Sequence, residues 1–362
     1  MFLRLESRSA PSKKMTYLSP FIAVILTMIS GMIIFAAMGK SPVEGIYVFF
    51  IEPVTSIYGL GELAIKATPL ILIALGLAIG FKANIWNIGA EGQLVMGAIV
   101  GGGLALWFYD TESAWLLPMM IIFGAIGGML WAAIPAFLKT KFNTNEILTS
   151  LMLSYVAILF LNFMVNGPYR DPSGYNFPES RLFTDSALLP ILVEGTRLNL
   201  GSVITLVLLI GLWIMLARTI IGFQIRVVGQ APEAAKYAGF NHKKIIWFSF
   251  LLSGAMAGMA GIMEVSGPIG QLLPTISPGY GFTAIIVAFL GRLHPLGILF
   301  AGLIMAISYL GGESAQISLG LPVALTGVFQ GLLLFFLLAA DVLIMYKIRF
   351  AFSHNPAIKE GA

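Results

Sequence analysis

The chain has 362 residues, of which 58% are hydrophobic and only 10% charged, with a net charge of +4 and no cysteine. Soluble domains carry about 25% charged residues, so this composition excludes one. The missing thiols exclude a disulfide framework and any Cys-based metal site. No long apolar run alternates as a barrel strand does, which predicts an all-α polytopic membrane protein.

Arg4, Arg8, Lys13 and Lys14 precede an apolar run at about 18–38. A secretory signal ending near Ala37-Met38-Gly39 is the competing reading. The run is about 21 residues, however, the length of a span, and it predicts a retained first helix. Residues 41–60 mix Pro42, Glu44, Glu52 and Pro53 with aromatics and suit a short interfacial helix. Further apolar segments follow at about 63–80, 91–108, 115–138, 146–165, 199–217, 245–263, 280–291, 296–311 and 322–346, which makes about ten. At 1.5 Å per residue the segment at 280–291 crosses roughly half of a core about 30 Å thick. It is expected to be a half-helix, or to continue from a buried extended stretch at 268–279.

An N-terminus inside places Lys82, Lys139, Lys141, Arg292, Lys347, Arg349, Lys359 and the five basic residues of 218–244 on the cytoplasmic side. Only Lys40, Arg170, Arg181 and Arg197 fall outside, with Lys66 near an outer helix end. That asymmetry obeys the positive-inside rule and predicts both termini in the cytoplasm. The division is then a basic segment at 1–17, a transmembrane domain at 18–346 and a tail at 347–362. Residues 166–198 form the main extracytoplasmic loop and 218–244 a cytoplasmic one.

Residues 84–93 are a polar, glycine-broken stretch between two apolar runs. Lipid offers no partners for irregular backbone, so such a stretch survives only where protein or a water-filled cavity satisfies it. One reading places Asn84, Asn87, Glu91 and Gln93 on a solute pathway, with Trp86 free to stack on a planar base. In the other, these groups cap one another and stabilise the break. Glu146, Ser150 and Ser154 share one helix face, which faces protein or water rather than lipid, so that Ser150 and Ser154 either line the solute pathway or bond between helices. Ser249, Ser253, Ala257 and Gly261 form one small-residue row and Gly254 with Gly258 another, a pattern for close helix packing. The stretch from Gly267 to Gly297 is a second interruption, and paired interruptions point to a midplane site in repeat-built transporters. His242, His294 and His354 are isolated, no metal-ligand spacing exists, and His294 reads as an inner-interface residue.

In the cytoplasmic loop, Pro232 suits the first position of a short helix, Glu233 its first turn, and Gly239 a left-handed end. So short a helix has little reason to persist alone, which predicts a cytoplasmic partner. Glu233, Ala234, Ala235 and Gly239 fit the pattern E-A-A-x-x-x-G, which resembles the coupling loop of ABC importer permeases, although its downstream I-x-L-P is absent. The segment ANIWNIGAEGQLVMGA at 83–98, Asn145-Glu146-Ile147, Ser253 to Gly258 and Ala288 to Gly297 occur in the order of that family's nucleoside branch, of the guanosine or purine-nucleoside type. Simple-sugar and branched-chain amino-acid permeases are its relatives. The resemblance covers about 60–350 and implies a two-half permease in the bacterial inner membrane. It also implies a second homologous permease chain, two ATP-binding domains or a tandem ATPase, an extracytoplasmic substrate-binding lipoprotein, and a nucleoside as cargo, with no nucleic acid. Gly39-Lys40-Ser41 is the nearest approach to a phosphate loop, and Ile34 stands where its first glycine is required. No cofactor is therefore expected on this chain, with ATP and Mg²⁺ handled by the partner. A permease for a sugar such as ribose and an ion-coupled secondary transporter remain as alternatives.

Overall fold

The computed structural model describes residues 2–8 and 12–351. Of the predicted tail, 352–362, with His354 and Lys359, lies outside the described residues. In chain order the elements are β1 (Phe2–Ser7), α1 (Lys13–Ala37), α2 (Pro42–Ile46), α3 (Ile57–Lys82), α4 (Ala90–Trp107), α5 (Leu116–Phe142) and α6 (Glu146–Asn166). There follow α7 (Leu200–Arg218), α8 (Ile220–Gln230), α9 (Pro232–Tyr237), α10 (His242–Glu264), α11 (Tyr280–Leu290), α12 (Pro295–Leu319), α13 (Ala324–Met345) and β2 (Tyr346–Ala351). Among the described residues nine helices are long and apolar enough to span a membrane, and α11 is the short apolar one. Its 11 residues extend about 16 Å, so the predicted half-helix is present. Many starts are capped as their sequence demands: Ser56 accepts from the Gly59 N–H, Asn145 from Ile147 and Asn241 from Lys244.

The chain divides into two compact units, Val48–Ser314 and a terminal unit of Met1–Tyr47 with Ala315–Ala362. In the terminal unit α1 packs along α13. Phe35 meets Phe329 at 5.7 Å between ring centres, and the Ser19 hydroxyl donates to Asp341 at 2.9 Å. β1 pairs antiparallel with β2, Phe2 opposite Ala351 and Ser7 opposite Tyr346. This ribbon adds two strands to the all-α expectation. Its signal is the period-two alternation of Phe2-Leu3-Arg4-Leu5-Glu6 and Tyr346-Lys347-Ile348-Arg349-Phe350, short enough to be lost beside the long apolar runs. The pairing sets residues 2–7 beside residues 346–351.

In the larger unit α3 is the central helix: 89% of its apolar window is buried, against 22% for α6. α10 packs on α3, α4 and α5 through the small-residue rows. A methyl group at Gly258 would overlap the Gly124 carbonyl oxygen, and one at Gly97 would overlap Gly258. These rows therefore let helix backbones touch. The stretch 218–244, expected in the cytoplasm, holds one helix more than expected. In α8, Gly222, Ile225 and Val228 are buried at three-residue spacing, which gives this 11-residue segment an inward stripe.

Candidate functional site

After α3 ends, the chain turns back into the protein. Asn84, with φ of 57°, makes the turn, and Ile85 N–H bonds the Gly80 carbonyl. The irregular backbone from 83 to 89 is then satisfied from three directions. The Asn87 amide donates to Gln93 Oε1 at 2.9 Å and to Ser253 Oγ at 3.0 Å. Asn87 Oδ1 accepts from Gln93 and from the Gly89 N–H, both at 3.0 Å. The Ile88 N–H donates to Ser150 and the Gly92 N–H to Ser154, at 3.1 and 3.3 Å. Asn87, Glu91, Gln93, Ser150 and Ser154 are all buried. These groups leave few polar atoms of the break without a partner, as a dry interior requires.

Asn84 and Trp86 lie differently. Asn84 is exposed and accepts from the Trp86 indole N–H at 3.2 Å. The half-buried Trp86 ring stands 5.2 Å from Phe81 and 5.8 Å from Phe289. Phe289 belongs to α11, so the second interruption contributes to the same aromatic group. The two interruptions also meet at Glu91, whose carboxylate accepts the Gly281 N–H at 2.6 Å. Sequence reasoning placed both breaks but could not pair them.

In α9 one side chain is buried. Ala235 is buried, while Pro232, Glu233, Ala234, Lys236 and Tyr237 are exposed. Gly239, at φ of 77°, ends the helix, and the Phe240 N–H returns to the Ala235 carbonyl at 2.9 Å. A residue with a Cβ pays a steric penalty in that left-handed region, so glycine is favoured there. A cleft of about 160 Å³ lies between Pro232 and Asn84 and is lined also by Lys139, Glu146 and His242. Lys139 and Glu146 form an ion pair across 2.9 Å. His294 lies edge-on to Trp213, and burial together with the Lys82 ammonium holds its pKa below the usual histidine range.

Toward the other end of α3, Arg197 bonds both carboxylate oxygens of Glu62, and Lys66 pairs with Glu313 at 3.0 Å. Neither pair was foreseen. The available signal was a carboxylate inside an apolar run, which needs a partner.

A family model described as "Branched-chain amino acid transport system / permease component" matches residues 59–338. The chain is 35% identical to the glucose ABC transporter permease protein TsgB13 of Haloferax volcanii, over 98% of this chain and 95% of that one. It is 30% identical to the nucleoside ABC transporter permease protein NupB of Lactococcus lactis, covering 90% and 92% of the two chains. It is 31% identical to the guanosine ABC transporter permease protein NupP of Bacillus subtilis, covering 92% and 94%.

Proposed function

We propose, from the premise that this chain belongs to the permease-component family of the branched-chain amino acid transport system, that it carries a nucleoside inward as the membrane subunit of an ATP-driven importer. A multi-pass place in the bacterial inner membrane fits the family and the nine apolar spans. One observation carries the reading: α9 presents five of its six residues to solvent and buries only Ala235. Such a helix is built to be gripped by another protein. Pro232, Glu233, Ala234, Ala235 and Gly239 form the docking element for an ATPase that binds and hydrolyses ATP with Mg²⁺, so this chain performs no covalent chemistry. A second homologous permease chain completes the pathway, and an extracytoplasmic binding lipoprotein delivers the solute. The 166–198 loop faces that delivery, and 18–346 forms the membrane domain between cytoplasmic ends.

Within the break, Asn84 and Trp86 are the groups that face the solute, while Asn87, Glu91, Gln93, Ser150 and Ser154 hold them in position. A planar indole beside an exposed amide suits a nucleobase, which offers a π-face and hydrogen-bonding edges. The names of the two relatives at 30% and 31% identity support a nucleoside. The relative at 35% identity is named for glucose, which keeps a simple sugar as the second reading. Competition of guanosine, uridine, ribose and glucose for ATP-dependent uptake tests the choice. Guanosine or uridine should displace the transported label, and displacement by the sugars alone would overturn the nucleoside assignment.

A further inference from the structure

The contact between the two interruptions has a role that solute recognition does not absorb. The Glu91 side chain is 3% exposed and lies at the start of α4, where it takes the first-turn N–H of α11 from Gly281. The Ser277 hydroxyl bonds the same carboxylate and accepts the Gly279 and Tyr280 N–H groups. One carboxyl group thus closes the amino end of the half-helix, and the partial positive ends of α4 and α11 converge on it. The approach leaves no tolerance: a methyl group at Gly281 would overlap the Glu91 backbone nitrogen.

Both segments joined by this bond are anchored further out. A Cβ at Gly229 of α8 would overlap the Lys82 carbonyl, where the first break begins, and Ala231 alone separates α8 from α9. The second break is tied to the outer loop by backbone bonds from Ser180, Phe183 and Leu189 to the carbonyls of Leu272, Gly270 and Ser266.

We propose that Glu91 is the positioning residue that fastens α11 to the start of α4, so that a displacement arriving through α9 and α8 moves both interrupted segments together and reaches the outer loop. The consequence for transport rests on the importer reading. The bond itself does not.

The sequence contains no cysteine, so a single introduced thiol can be labelled without background on the purified chain before the complex is assembled. Thr275→Cys places one on an exposed site between the outer-loop tether and α11. Amide exchange at Tyr280 to Thr283 is measured on the purified full chain, and the response of the Thr275 label to ATP with vanadate is measured in the assembled complex. Glu91→Leu removes the acceptor and should speed that exchange about tenfold, as loss of a buried hydrogen bond at the helix start implies, and silence the label. Glu91→Gln keeps an oxygen of the same reach and should restore both readouts to within about twofold. Should Glu91→Leu fail to fold, Ser277→Ala removes one arm of the cap and should give about a threefold rise in exchange. Unchanged exchange in Glu91→Leu, or in Ser277→Ala where the first does not fold, overturns the proposal, as does a Glu91→Gln variant as impaired as Glu91→Leu. A parent complex whose label ignores nucleotide contradicts the importer reading instead, and the exchange measurement still decides the role of Glu91.

Discussion

Asn87 shows how a single side chain sustains a chain reversal inside a membrane protein. Its amide group gives two hydrogen bonds and takes two, so all four reach partners within 3.0 Å. Asn87→Ala leaves the Gly89 N–H and the Gln93 amide buried without it, at a cost of about 1–3 kcal/mol for each orphaned group. A fall in the thermal unfolding midpoint of the detergent-purified chain measures this, and an unchanged midpoint contradicts it. The Glu62–Arg197 pair makes a second residue-scale prediction. Glu62 is 8% exposed but Arg197 is 48% exposed, and the carboxylate holds the guanidinium pKa above its ordinary value. Solvent tempers the loss, so Glu62→Ala should cost about 1–2 kcal/mol rather than the larger penalty of a fully buried pair. The same melting measurement reads it, and a loss as large as that from a fully buried pair would show that solvent does not reach Arg197. Little of this was visible beforehand. Asn87 and Ser253 are 166 positions apart and Glu91 and Gly281 are 190 apart. Composition and spacing mark both breaks as needing partners without saying which partners.

Elements were far more legible, because their signals are local. Apolar runs of span length placed all nine long helices and the half-helix. Two elements escaped. α8 is amphipathic and short, and its buried stripe of Gly222, Ile225 and Val228 includes a glycine that no hydropathy pattern marks. The terminal ribbon depends on pairing between the two ends of the sequence, which neither strand announces alone. The small-residue rows of α10 were read as packing surfaces, and the structure sets them against α4 and α5. Gly258→Val places a Cβ against the Gly124 carbonyl oxygen and the Gly128 backbone, with two further methyl groups to house. Overpacking of that kind should cost about 3 kcal/mol and separate α10 from α5. Melting of the purified variant tests this, and a stability equal to the parent would contradict the close approach.

At the scale of the whole molecule, the fold assigns separate tasks to its parts. Packed small-residue helices supply a rigid body, the two breaks supply irregular backbone within it, and α9 supplies an exposed handle beneath it. The central claim is that this handle is where a separate ATPase drives the permease. Its most direct test is solute uptake by the complete complex in sealed vesicles, with and without ATP, for the parent and for the Gly239→Val and Glu233→Pro variants. The account predicts uptake that requires ATP in the parent and falls at least about tenfold in both variants while the chain remains inserted. Concentrative uptake by the parent without ATP, or undiminished uptake in both variants, would contradict it.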